Sequence, residues 1–246
     1  MSNNSHLAGL LTGPARTSRT GLARRPHEGV KRSPAPASAP GPASGDLMRL
    51  FVAISPPPTV LDELDVRLEP LRASRGDLRW TNREAWHVTL AFLGQVDETA
   101  AARLLPRLER AARRHTEFRL AFAGAGAFPA ATRANVLWSG LSGDRGALAR
   151  LAESVAAGAR RAGAPPPDKG RRFQPHLTLA RCRMPVDVTE LVAALSDYQG
   201  PPWTADRVHL VRSRLGPTTL PRYTSLGDWP LRAIDAVTPD ADPSAD

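Results

Sequence analysis

Cysteine occurs once in the 246 residues, at Cys182, so no disulfide can close within the chain. A reducing cytoplasm is the compartment that suits such a sequence. No apolar run approaches the roughly 18 residues that a membrane-spanning helix needs, and the N-terminal residues lack the hydrophobic stretch of a signal peptide. The expectation is a cytoplasmic, monomeric protein with no membrane partner. Lysine is nearly missing, present only as Lys31 and Lys169, so the basic residues are almost all arginine. Coding bias accounts for most of the Ala, Arg, Gly and Pro excess, although arginine also brings a planar fork of donors that suits phosphate.

What the chain does have is positive charge, unevenly spread. The formal net charge is +9, and residues 48–233 alone carry 27 basic against 18 acidic side chains. A basic body attracts anionic partners such as RNA, although net charge by itself says nothing of fold. Residues 1–47 mix Ser, Pro, Ala, Gly and Arg without hydrophobic periodicity, as in Arg32-Ser33-Pro34-Ala35-Pro36. Such a stretch buries too little apolar area to offset its ordering entropy, so it is expected to be disordered. A start of translation at Met48 would account for it equally. Residues 234–246 are acidic and are likewise expected to be disordered.

Between these tails the periodicity alternates. Met48–Ile54 reads as a buried strand, and Val60, Leu61, Leu64, Leu68 and Leu71 recur at helical spacing behind Thr59 as N-cap. Leu78-Arg79-Trp80 is a short extended piece. A strand over 85–93, closed by Gly94, is followed by a helix capped by Asp97 with Leu104, Leu105 and Leu108 inward. Strands over 118–122 and 135–139, a helix over 144–162 with Gly163 past its end, and a strand over 173–181 come next. A helix over 187–197, a strand over 205–213 and an extended piece over 223–228 complete an α+β pattern of two similar lobes. The basic loop 164–172 feeds into the strand over 173–181, and its Arg171-Arg172 pair suits contact with an RNA backbone.

One phrase recurs. His87-Val88-Thr89-Leu90-Ala91 returns as His176-Leu177-Thr178-Leu179-Ala180. In a strand, His87, Thr89 and Ala91 share one face while Val88, Leu90 and Phe92 share the other; the second copy sorts in the same way. Two residues along a strand span about 6.5 to 7 Å, so an imidazole and a hydroxyl can touch different atoms of one small anion, with the alanine leaving room for it. If the two strands come from equivalent halves and face each other, one cleft holds His87, His176, Thr89 and Thr178 in pseudo-twofold array, which fits phosphoryl transfer. A zinc site is the rival for paired histidines, but neither copy has the acidic or Cys partner such a site uses. His6 and His27 lie in the tail, His115 follows a helix end, and His209 has no Thr two residues on. Cys182 has no counterpart beside the first copy and reads as a small residue at a strand end.

The twin motif resembles the H-x-T-hydrophobic signature of the 2H phosphoesterase superfamily and, more closely, the bacterial RNA 2′,3′-cyclic phosphodiesterases, also called 2′-5′ RNA ligase-like proteins. The resemblance extends to Met48–Ile54, Arg79-Trp80, Phe92-Leu93-Gly94, Phe173, Pro175, Arg181, Ser213-Arg214-Leu215 and Tyr223, and covers about 48–232. It implies a bilobal α+β fold with two antiparallel sheets lining a central cleft and helices outside. It further implies catalysis without metal or cofactor, and hydrolysis of RNA 2′,3′-cyclic phosphate ends to 2′-phosphomonoesters. His87 and His176 would be the acid and base, in that order by the resemblance, and Thr89 and Thr178 would bind the phosphate. The alternatives are 2′-5′ RNA ligation by the reverse reaction, for which no ATP-binding motif supplies a driving force, and a module that binds RNA ends without turnover.

Overall fold

A computed structural model describes residues 47–166, 173–215 and 221–234. The expectations for residues 1–46 and 235–246, and for Arg171-Arg172, lie outside these described residues. In chain order the elements are β1 (Met48–Ile54), α1 (Pro58–Ser74), β2 (Arg79–Trp80), β3 (Val88–Val96), α2 (Glu98–Arg113), β4 (Phe118–Phe128), β5 (Ala134–Gly143), α3 (Arg145–Ala162), β6 (Leu177–Val186), α4 (Thr189–Ala194), β7 (Trp203–Ala205), β8 (Arg207–Leu215) and β9 (Pro221–Pro230).

The strands run antiparallel in the order β7-β4-β5-β6-β3-β1-β8-β9, with β2 paired to β6. The two sheets expected from the sequence are two halves of this array, joined where β3 meets β6 at one pair, Val88 opposite Leu177. The first half takes β1 and β3 from the start of the domain and β8 and β9 from its end. The helices lie on one side, where α3 packs on β3 and β4 and α2 packs on α3, β8 and β9. Leu50, Val52, Val88, Leu90, Leu177 and Leu179 face that side and join Leu104, Leu108, Leu148, Leu151 and Val155 of the helices in one core. At roughly 25 cal/mol for each Å² of apolar surface removed from water, burying such side chains dominates the stability of the domain.

Local chemistry explains where helices begin. Asp97 caps α2 as expected, accepting a hydrogen bond from the Ala100 N–H at 2.7 Å. Gly163 ends α3 at φ +86°, in the left-handed region that a Cβ disfavours. Thr59, by contrast, does not cap α1. That helix starts at Pro58, whose fixed φ and missing N–H suit the first helical position, so Pro57 precedes it and Thr59 falls inside the first turn. α4 is shorter than the helix expected over 187–197 because the chain turns at Leu195 and Ser196.

Candidate active site

Both motif histidines sit one residue before their strands. The expected starts at 85 and 173 are therefore too early: β3 begins at Val88 and β6 at Leu177. Before β3 the backbone is occupied by a turn, since the N–H groups of Ala85 and Trp86 bond back to the carbonyls of Asn82 and Arg83. This placement gives both imidazoles the same tether. His87 Nδ1 lies 2.7 Å from the carbonyl oxygen of Ala85, and His176 Nδ1 lies 2.8 Å from that of Gln174. A carbonyl only accepts, so Nδ1–H is the donor in each case and Nε2 is left for chemistry, bare when the ring is neutral and N–H when it is charged.

The strands also share an irregularity. On β3, Thr89 pairs with Ala53 and Ala91 with Val52, skipping Leu90; on β6, Thr178 pairs with Trp138 and Ala180 with Leu137, skipping Leu179. Each skip is a β-bulge at the same motif position, and a bulge reverses the alternation beyond it. Ala91 and Ala180 consequently turn to the buried side, while Phe92 emerges half-buried and Arg181 exposed. The expectation that the alanines flank the anion, with Phe92 in the core, is thus corrected. Gly94 likewise does not close β3. It continues the strand at φ +69° opposite Leu50, beside a further register shift.

With Val88 opposite Leu177 and both fully buried, the antiparallel register brings His87 beside Thr178 and Thr89 beside His176 on the opposite, open face. The structure thus gathers the four residues singled out in the sequence around one rung, as neighbours in a curled array. Both threonines are half-buried, and among the described residues neither hydroxyl has a hydrogen-bond partner. The two hydroxyls remain available as donors.

Aromatic rings clasp each imidazole. His87 stacks on Phe51 at 4.5 Å and meets the edge of Tyr223 at 5.3 Å. His176 lies edge-on to Phe128 at 5.0 Å and tilted against Trp138 at 6.2 Å. Burial among these rings disfavours charge, so the His87 pKa falls to about 4, with Arg181 and His176 adding repulsion. Burial and Arg181 also lower that of His176, against the pull of the Gln174 carbonyl. Burial raises the Tyr223 phenol, and Arg181 opposes it. One guanidinium thus acts on three rings of the same face, which places its field where an anion would sit.

Arg181 and Tyr223 entered the sequence reading only as matches to a family, and Phe51, Phe128 and Trp138 not as site residues at all. A one-strand pattern reports the strand's own faces, whereas Phe51, Phe128, Trp138 and Tyr223 come from β1, β4, β5 and β9, and Arg181, although on β6 itself, reaches the open face only through the bulge. The remaining histidines stay apart: His115 Nε2 pairs with Ser154 Oγ at 2.8 Å among the helices, and His209 faces Ala53 and Asp228 one strand further out. Burial raises the Cys182 thiol pKa, which keeps it protonated rather than nucleophilic. Among the described residues no three His, Cys, Asp or Glu side chains converge on a metal-sized site, and no helix is long and apolar enough to cross a membrane.

This geometry has parallels. A curated RNA 2′,3′-cyclic phosphodiesterase of Thermus thermophilus is 32% identical over 192 residues, covering 75% of this chain and 91% of that protein. One from Aeropyrum pernix is 37% identical over 114 residues, 46% of this chain and 62% of that protein. One from Aquifex aeolicus matches over 55% of its length, so the chain aligns with little more than half of these two relatives. A crystal structure from Thermus thermophilus superposes with TM-score 0.60 at 30% identity, covering 76% of this chain and 99% of that one. Escherichia coli LigT complexed with 3′-AMP superposes with TM-score 0.59 at 26% identity over the same shares. The family model of the 2′-5′ RNA ligase superfamily matches residues 60–217, a span that holds both H-x-T motifs and most of the sheet, and the chain belongs to that superfamily.

Proposed function

We propose that this protein is a hydrolase that opens RNA 2′,3′-cyclic phosphodiester ends to 2′-phosphomonoesters, with His87 and His176 as its proton-transferring pair and Thr89 and Thr178 as phosphate-binding residues. The observation that carries the reading is the pair of imidazoles whose Nδ1 atoms are both spent on their own backbone, leaving two Nε2 atoms on one open face between threonine hydroxyls that have no hydrogen-bond partner among the described residues. Water attacks phosphorus in line with the departing 3′ oxygen. One Nε2 takes the water's proton, the P–O3′ bond breaks, and the other Nε2–H delivers a proton to O3′. Thr89 and Thr178 donate to the non-bridging oxygens, and Arg181 offsets their negative charge.

His87 is assigned as acid and His176 as base. An imidazole held near pKa 4 is almost wholly neutral at pH 7, so the acid gains its proton when the anionic phosphate binds and favours the charged ring. The exchanged assignment is favoured by one observation: in the free protein His87 is the more deeply buried of the two rings, and its pKa falls to about 4. The protein is further read as a cytoplasmic monomer acting on RNA ends without metal or cofactor, its domain spanning 48–233. The deciding experiment supplies a dinucleotide ending in a 2′,3′-cyclic phosphate and analyses the product. A 2′-phosphate is expected. Tight binding without turnover would make the protein an end-binding module, and a 3′-phosphate would reverse which oxygen leaves.

A further inference from the structure

Away from the imidazoles, α2 and α3 run antiparallel and enclose an open groove of about 310 Å³. The helices meet at Gly158, where a Cβ would stand in ordinary contact, 3.5 Å from the Arg107 Cβ. One turn before Arg107 the Arg103 guanidinium ties the helices together by donating to the Ala162 carbonyl at 3.1 Å. Arg107, Arg110 and Arg114 line one wall and Arg161 the other, against the single carboxylate of Glu153 and the hydroxyl of Ser154. Arg107, Arg110 and Arg114 are three and four residues apart, so they form one stripe along α2, about 10 Å long at 1.5 Å per residue.

None of the four arginines forms an ion pair with a described residue, whereas Arg72, Arg75, Arg83, Arg113 and Arg207 all do. Four like charges in one concave groove repel one another until an anion enters. His115, bonded to Ser154 beside the groove, has its pKa lowered first by burial and then by Arg150 and Arg114. The groove lies among the helices, on the far side of the sheet from His87 and His176, so the anion it takes is not the one at those residues.

We propose that this groove is a second RNA-binding site, which grips the phosphate backbone of a long RNA at a distance from the end held in the cleft. Arginine suits this because its planar fork holds two phosphate oxygens at once, and several such contacts in a row give affinity without sequence preference. The site rests on the proposed function for its choice of polyanion. A dinucleotide reaches only the cleft, whereas a long or folded RNA can pass round the domain to the helices.

The test compares Arg110→Gln/Arg161→Gln, one exposed arginine from each wall, with Arg145→Gln/Arg160→Gln, an equal charge change on α3 outside the groove. Binding of a long single-stranded RNA with a plain 3′-hydroxyl is followed by fluorescence anisotropy across a salt series, beside turnover of a cyclic-phosphate dinucleotide. The groove pair is expected to weaken long-RNA binding several-fold and to reduce the slope of log K against log salt by about 1.4, at roughly 0.7 for each lost phosphate contact. Dinucleotide turnover should not change. An unaltered slope, an equal loss in the control pair, or a loss of dinucleotide turnover with long-RNA binding intact would each overturn the proposal. Because binding is read on RNA without a cyclic phosphate, a wild-type protein that fails to turn over the dinucleotide sinks the hydrolase reading alone.

Discussion

Burying a histidine has a consequence for stability that can be measured without any substrate. In the unfolded chain His87 titrates near 6.5, and in the folded protein its pKa falls to about 4, burial being the main cause. The unfolded state therefore binds more protons between these values, and acid draws the equilibrium toward it. At pH 7 the effect is negligible. By linkage it reaches about 2 kcal/mol at pH 5 and about 3 kcal/mol at pH 4, levelling off below the folded value. That is a large part of the 5–15 kcal/mol typical of a domain. His87→Asn provides the reference, because its amide N–H can still reach the Ala85 carbonyl but does not titrate. Urea unfolding of both proteins at pH 7, 6, 5 and 4 isolates the contribution of His87 from the other acid-sensitive groups, which the two share. The wild type should lose about 3 kcal/mol more than the variant between pH 7 and pH 4. A difference that stays flat over this range would mean that the ring is hydrated or accommodates its charge, so that burial does not depress its pKa.

His87→Ala or His176→Ala should each lower dinucleotide turnover by roughly 10²- to 10⁴-fold with the circular dichroism spectrum retained, and near-normal activity would remove that residue from the mechanism. A 3′-thio leaving group needs little protonation, so it should partly rescue the variant that lacks the acid, His87→Ala; rescue of His176→Ala instead would exchange the roles. Gly126→Ala should cost about 1 to 3 kcal/mol in denaturant unfolding, because a Cβ there overlaps the Trp138 ring. Displacing that ring should also disturb His176, so kcat should fall with it, and unchanged kinetics would uncouple the ring from the site. Exhaustive chelation should leave activity intact, and a loss restored by zinc or magnesium would overturn the reading of the histidines as proton carriers.

Much was legible in one dimension because it depends on neighbours along the chain. Asp97 caps a helix by accepting from the N–H of Ala100 three residues on, and Gly163 ends one through its own φ. Thr59 misled for a local reason too: the proline run before it supplied a different helix start. The recurrence of His-x-Thr-Leu-Ala marked two strands and named four side chains that the fold does gather. It failed beyond the leucine, since a bulge depends on how a neighbouring strand pairs and leaves no mark in the alternation of its own strand.

Amphipathic spacing, caps and the repeated motif were thus determined by the sequence alone, because burial along a helix or strand follows a fixed geometric period. Tertiary structure decided which strands stand beside the motifs. It drew β8 and β9 from the far end of the chain to β1 and so brought Tyr223 against His87; it set Phe128 and Trp138 around His176; and it turned Arg181 toward both imidazoles. The physical reason is that the electrostatics of a site sum over whatever lies within a few ångströms, and those neighbours are supplied by pairing between residues distant in sequence, which no local period encodes.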